Sequence, residues 1–198
     1  MAADRSRAMP RVDAVWNHPL YQERYRALRR AERDRVFCGH DLQHFLDVAR
    51  IAWTVLLERA VGGPAVKAMR DRRDGDGAAS CPEVARDVVY AAALLHDMGR
   101  AYEYETGEPH DVAGTRIAAE ILGTVEQDKR FSSSECEQIL AAIAHHRTGT
   151  APASGASGPD ALADALRYAD KAARACYACP ARELCNWPDG KKNLTITW

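Results

Sequence analysis

No stretch of the chain approaches the ~20 consecutive apolar residues that a membrane-spanning helix needs. Residues 1–11 carry no apolar segment of the kind that marks a secretory signal, so the protein is expected to be cytoplasmic with reduced thiols. Charge of one sign is missing too: 27 basic residues stand against 28 acidic ones, a formal net charge of −1. That balance excludes a general nucleic-acid-binding surface and a polybasic membrane patch. There is no internal repeat, no collagen-like or low-complexity composition, and no strand-like alternation beyond residues 194–198, too few to define a strand. What is present is apolar content of 46% in 198 residues, enough to bury a sizeable core in one domain.

The apolar spacing is helical nearly throughout. Residues 12–35 form a polar stretch with a loose apolar face of Val15, Leu20, Tyr21, Tyr25 and Leu28. Residues 41–61 repeat at the helical period and are ended by Gly62, Gly63 and Pro64. Residues 67–80, charged and glycine-containing, read as a loop or frayed helix. Cys81–Pro82 opens a nearly all-apolar helix over 83–98, stopped by Gly99; a helix apolar on every side belongs at the centre of a bundle. A shorter amphipathic helix spans 111–123, and Ser134 with Glu137 reads as a capping box opening a helix to Arg147. Residues 148–159 form a Gly/Ala/Ser/Pro loop, and Asp160 caps a last helix to Ala175. The expected fold is an all-α bundle, 1–175 (N-terminal helix 11–35, core 36–175), with an irregular Cys-containing tail, 176–198, packed on it.

Histidines fall inside these helices or at their ends: His44 in HFLDVARIA, His96 in ALLHDMGR, His110 in EPHDVAG and His146 in AIAHHRTG. Asp97 follows His96, and Asp170 lies mid-helix in RYADKAAR. A carboxylate inside an apolar helix is costly to bury without a partner. Imidazole with carboxylate is ligand chemistry for Zn, Mn or Fe, and carboxylate also suits Mg. Three such ligands and an open position make a catalytic site. Six can hold two ions about 3.5–4 Å apart. One histidine in a helix is more often a core or surface residue; it is the ordered set that carries weight. His145 points about 100° away from His146 on a helix. His40, one turn before His44, either shares its face or is a surface residue at the helix start. His18, beside Pro19, reads as surface.

The ordered set His44, His96–Asp97, Asp170 resembles the HD superfamily of metal-dependent phosphohydrolases, over about residues 36–175. HFLDVARIA is similar to the family's first ligand helix, LLHDMGR to its signature turn and YADK to its last ligand. His110 and the HHRTG stretch resemble the added histidines of binuclear branches such as the HD-type diadenosine tetraphosphate hydrolases. In that likeness His146, not His145, is the ligand. The resemblance implies one or two divalent ions (Fe, Mn, Zn, Mg, Ni or Co) on His44, His96, Asp97, His110, His146 and Asp170, with Asp97 as the bridging catalytic carboxylate. It implies hydrolysis of a phosphoester or phosphoanhydride, of a nucleotide, by metal-activated water. The implied partner is a small phosphorylated substrate, with no nucleic-acid duplex and no membrane, the protein being a monomer or homodimer. A di-iron oxygenase on the same scaffold and a non-catalytic redox or metal sensor are the alternatives. The Gly-Tyr-Pro signature of cyclic-di-GMP phosphodiesterases and the long insertions of dNTP triphosphohydrolases are both absent.

Arg100, Arg147 and Lys171 each follow or adjoin a member of the set and are candidate phosphate clamps, Arg by bidentate pairing and Lys as a point charge. Each also sits where a cation complements a helix C-terminus. Glu103 and Glu105 could pass a proton to a leaving group or be solvated loop charges. Cys176-x2-Cys179-x5-Cys185 has a metal-like spacing, and zinc and iron–sulfur sites normally take four ligands. Cys38 is the best fourth. It lies six residues before His44, and Cys176 six after Asp170. If His44 and Asp170 meet from antiparallel helices, both cysteines arrive about 9 Å from that point at the same end of the bundle. Zinc or a [4Fe–4S] cluster is expected there; the alternative is a set of incidental thiols. Cys81 and Cys136 have no comparable argument. The tail Cys-Asn-Trp-Pro with Lys191, Lys192 and Asn193 is similar to tails in a bacterial branch of HD proteins.

Overall fold

Pro19 divides the first helical stretch in two. Its ring cannot donate a backbone hydrogen bond, so α1 (Pro10–Asn17) ends before it and α2 (Pro19–Ala31) begins on it. The His18 side chain caps α2 by accepting from the Leu20 N–H at 3.2 Å, and its other ring nitrogen lies 3.0 Å from Thr124 Oγ1. The single helix expected over 12–35 is therefore two, and His18 is a capping residue. The computed structural model describes residues 8–62, 83–147 and 160–196. The readings for 67–80, for Cys81–Pro82 and for 148–159 lie outside the described residues, as does the capping role of Asp160.

The remaining helices are α3 (Leu42–Gly62), α4 (Arg86–Leu95), α5 (Arg100–Thr106), α6 (His110–Thr124), α7 (Ser133–His145) and α8 (Asp160–Ala172). No strand occurs among the described residues, and the fold is all-α. No helix among them is long and apolar enough to cross a membrane. Single 3₁₀ turns follow at Gln127–Lys129, Cys176–Ala178, Arg182–Leu184 and Asp189–Lys191.

The all-apolar helix α4 is central, touching α1, α3, α7 and α8, with Val88, Val89 and Ala91 to Leu95 buried. Its regular part is shorter than expected, because the chain turns at His96–Gly99 before starting α5. Residues 100–106, read as a loop, are that helix. Around α4 the core is filled by Tyr21, Leu28, Phe45, Leu95, Met98, Ile121, Ile139, Ile143, Leu162 and Leu166. The capping box of α7 is Ser132 with Glu135, two residues earlier than expected: Glu135 N–H donates to Ser132 Oγ, and Ser132 N–H to the Glu135 carboxylate. Helix α8 stops at Ala172 rather than Ala175. Asn193 from the tail brings its side-chain amide within 2.7 Å of Lys171 O and 2.9 Å of Arg174 O, satisfying carbonyls the helix leaves open.

Candidate metal centre

The start of α3 is well fastened. Asp41 Oδ1 accepts from His44 N–H at 2.9 Å, and the Tyr25 hydroxyl accepts from Leu42 N–H at 3.0 Å. His44 in the first turns of α3 thereby faces Asp170 near the end of α8, Nε2 to Oδ1 at 3.5 Å. The turn after α4 brings His96 and Asp97 to the same point. His96 Nε2 lies 3.1 Å from Asp97 Oδ2 and 3.8 Å from Asp170 Oδ1; His44 Nε2 lies 3.9 Å from Asp97 Oδ2.

That turn presses on α6. A Cβ on Gly99 would lie 2.1 Å from His110 O and 2.5 Å from Gly114 N, distances only a glycine permits. The close approach sets His110 beside Asp97, Nε2 to Oδ1 at 3.3 Å. His146, at the end of α7, lies 3.8 Å from the same Oδ1 and 3.2 Å from His110 Nε2. Two groups with ligand atoms mutually within 4.8 Å result: His44, His96, Asp97 and Asp170; and Asp97, His110 and His146. Asp97 belongs to both. His145 is exposed and belongs to neither.

Hydrogen bonds orient the rings. Nδ1 of His96 donates to Ala93 O at 2.7 Å, that of His146 to Ile143 O at 2.6 Å and that of His110 to the Glu103 carboxylate at 2.6 Å. An oxygen acceptor at Nδ1 places the hydrogen there. Burial pushes the titration of His146 down to about 4, helped by His96, and burial also lowers that of His110. Both rings are thus neutral near pH 7, and two Nε2 lone pairs face each other at 3.2 Å. His96 behaves oppositely. Burial opposes its charge, yet the Asp97 and Asp170 carboxylates push it up to about 10. His44 Nε2, His96 Nε2 and Asp97 Oδ2 are buried with no hydrogen-bond partner. The neutral lone pairs of His110 and His146, the buried Asp97 and half-buried Asp170 carboxylates and the orphaned atoms between them fit a pair of divalent cations.

Two residues outside the expected set support the site. Glu103, on α5 rather than in a loop, holds His110 and accepts from Arg147 at 3.2 Å; Glu105 is exposed. Glu32, at the end of α2, accepts from His40 Nδ1 at 2.5 Å, from His40 N–H at 2.7 Å and from the Tyr104 hydroxyl at 2.7 Å. Burial works against the Glu32 carboxylate, but these donors hold it at about 2. His40 is buried, with Nε2 3.4 Å from Asp97 Oδ2. In sequence, Glu32 is one acid in an arginine-rich stretch, and its partner lies across a loop where no periodicity links them.

A cavity of about 210 Å³ opens beside the cluster, lined by His40, His44, Arg100 and Asp170, by Arg35 and Arg174, and by Phe37, Cys38, Cys185 and Trp187. Arg100 reaches Asp97 Oδ1 through Nε at 3.0 Å. Arg147 pairs with Glu103 and Asp111, and Lys171 is exposed; neither lines this cavity. Cys38, Cys176 and Cys179 line an adjoining cavity, so the four cysteines gather at one end of the bundle. Among the described residues, no three sulfurs lie within 4.8 Å of one another. Cys136 stands apart, its thiol 3.8 Å from Phe131 O.

A family model for the HD domain matches residues 41–178, the span that carries the whole His/Asp cluster. An uncharacterized protein of Clostridium beijerinckii is 32% identical over 188 residues, covering 95% of this chain and 99% of the relative. No solved structure matches. With the ligand order, the all-α fold and the paired clusters on the page, the chain belongs to the HD domain family, a superfamily of metal-dependent phosphohydrolases.

Proposed function

We propose that the protein is a metal-dependent phosphohydrolase that cleaves a phosphoester or phosphoanhydride of a small phosphorylated substrate, a nucleotide. The observation that carries this reading is the sharing of Asp97: Oδ2 faces His44 and His96, while Oδ1 faces His110 and His146. His44, His96, Asp97 and Asp170 would hold one ion, and Asp97, His110 and His146 the second. Divalent ions bound there lower the pKa of water and neutralise phosphoryl charge.

The chain's own groups supply the rest. Arg35, Arg100 and Arg174 line the cavity and bind phosphoryl oxygens, guanidinium being suited to bidentate pairing. Half-exposed Phe37 offers a flat apolar face for a base, while the Trp187 ring carries the Arg174 guanidinium 4.5 Å from its centre and holds that arginine at the cavity. His40 has Nδ1 tied to Glu32, so Nε2 is the ring atom left to exchange a proton with a group in the cavity. Arg147 and Lys171, off this cavity, are left the secondary role of holding the outer parts of a longer substrate.

The test is phosphate release from p-nitrophenyl phosphate, nucleoside mono-, di- and triphosphates and dinucleoside polyphosphates, with Mn(II) and with EDTA. Turnover of at least one class that EDTA stops, and that His44→Ala reduces by at least about 100-fold, is expected. Turnover unchanged in His44→Ala, or none across the panel in metal-loaded protein, contradicts the reading.

A further inference from the structure

We propose that Cys38, Cys176, Cys179 and Cys185 form a tetrathiolate site for a thiophilic metal centre that fastens the tail to the bundle. The site lies outside the His/Asp cluster and does not depend on the activity proposed above.

The tail poses a physical problem. After α8 it makes only single 3₁₀ turns, and of residues 173–196 only Ala181 is buried. Leu184 is 75% exposed and Ile196 74%. So short a segment with so little buried apolar surface needs another source of order, and small elements of this kind use disulfides or metals. Cys38, Cys176, Cys179 and Cys185 are free thiols.

Their placement supplies that order. Cys38 comes from the loop before α3, and the other three from the tail, across the end of α8. Cys38 lines one cavity with Cys176 and Cys179, and the next with Cys185. Partial burial raises the Cys38 thiol, and the facing Cys176 and Cys179 thiols raise it further. Successive turns keep the tail cysteines close along the chain: Cys179 N–H donates to Cys176 O at 3.3 Å, and Cys185 N–H to Arg182 O at 3.2 Å. Cations stand ready to balance thiolate charge. Arg174 favours the Cys38 thiolate, and Arg35 donates to the Cys38 backbone carbonyl at 2.7 Å, holding the loop that carries this thiol.

Sulfurs on one zinc lie about 3.8 Å apart, so ligation draws these four inward to that spacing. In the zinc form, four thiols and one Zn²⁺ give a tetrathiolate zinc of charge −2 and release four protons to solvent. In the iron–sulfur form, two Fe(II), two Fe(III) and four sulfide ions supply the cluster core, and the same four thiols ligate it after releasing four protons to solvent, with no change of oxidation state. Thiolate ligation is common to both.

The experiment uses the full chain, purified without oxygen and analysed for zinc, iron and acid-labile sulfide. Zinc without sulfide identifies the single ion; iron with equimolar sulfide identifies the cluster. Titration of the wild-type protein with p-hydroxymercuribenzoate should release this metal as the fourth of these thiols reacts. Asp97→Ala should retain it, Cys176→Ser and Cys185→Ser should lose it, and Cys136→Ser should keep it. Metal retained in Cys176→Ser overturns the site. So does wild-type protein, reconstituted with Zn(II) or with iron and sulfide, that reacts at all its thiols without releasing metal. The wild-type titration decides the matter even if a serine variant fails to fold, and loss in Asp97→Ala alone would belong to the His/Asp cluster.

Discussion

The position of a Cβ on Gly99 lies 2.1 Å from the carbonyl oxygen of His110, so the turn bearing His96 and Asp97 and the first residue of α6 are in backbone contact. Gly99 has φ −79°, so the constraint is space and not conformation. Gly99→Ala must push α6 away and carry His110 off Asp97. Overpacking of this kind costs about 3 kcal/mol. A thermal melt should show the loss, and His110-dependent metal binding should weaken with it. Gly107→Ala meets no neighbour but sits at φ 79°, so it should cost only about 1 kcal/mol.

The two groups sharing Asp97 separate in mutants. His110→Ala and His146→Ala should each lose one metal equivalent while the other stays. His145→Ala, at an exposed position, should lose none. Metal analysis of the three variants checks this. Sensitivity at His145 instead would mean that the end of α7 is turned by one residue.

Glu103 holds His110 through Nδ1 at 2.6 Å. Removing such an outer partner lowers metal affinity by about 10–100-fold. Glu103→Ala should weaken the second metal by that factor, and Glu103→Gln, whose amide oxygen still accepts from Nδ1, should restore much of it. Isothermal titration with Mn(II) distinguishes the two variants; equal affinities would remove Glu103 from this role.

Arg11 ties α1 to α4 and α7, with Nε 2.6 Å from Asp87 and Nη1 and Nη2 2.8 and 3.0 Å from Glu135. The Arg11 hydrogen bonds hold Glu135 at about 2 against its ordinary 4.5. A depressed carboxylate stabilises the fold above its unfolded value and loses that contribution as pH falls toward its folded one. The effect is fully present at pH 7 and more than half gone at pH 3. Solvent screening reduces it to about 1 kcal/mol. Arg11→Ala should lower Tm by about 3 °C at pH 7, and the difference from wild type should shrink at pH 3. A gap that is constant with pH would show that Glu135 is not the group involved.

Helix type and order were legible because the apolar period of α3, α6 and α8 is strong, because α4 is a long apolar run, and because Gly62–Pro64 and Gly99 punctuate the pattern. The break at His18–Pro19 was available in the sequence: proline favours the first turn of a helix and excludes the interior. The capping box lies two residues from its expected place because Ser132 with Glu135 and Ser134 with Glu137 both fit the pattern, and the sequence alone does not choose between the two registers. The His/Asp set could be read from its order along the chain. The sequence offered His40 and Glu103 as candidates but not their partners: the Glu32–His40 contact is made across the loop between α2 and α3, and the Glu103–His110 contact depends on how closely Gly99 lets the turn approach α6. Arg35 and Arg174 reach the cavity only through the folding of the loop before α3 and of the tail.

The central claim is a pair of ions that share Asp97, and the most direct measurement is metal stoichiometry at the His/Asp cluster. Wild-type protein and Asp97→Ala, purified without oxygen, are analysed for metal content and titrated with Mn(II). Both should give the circular dichroism of a folded helical bundle. The account predicts two ions in the cluster of the wild type and none in that of Asp97→Ala, with phosphate release lost in parallel. Full metal content in folded Asp97→Ala would contradict it.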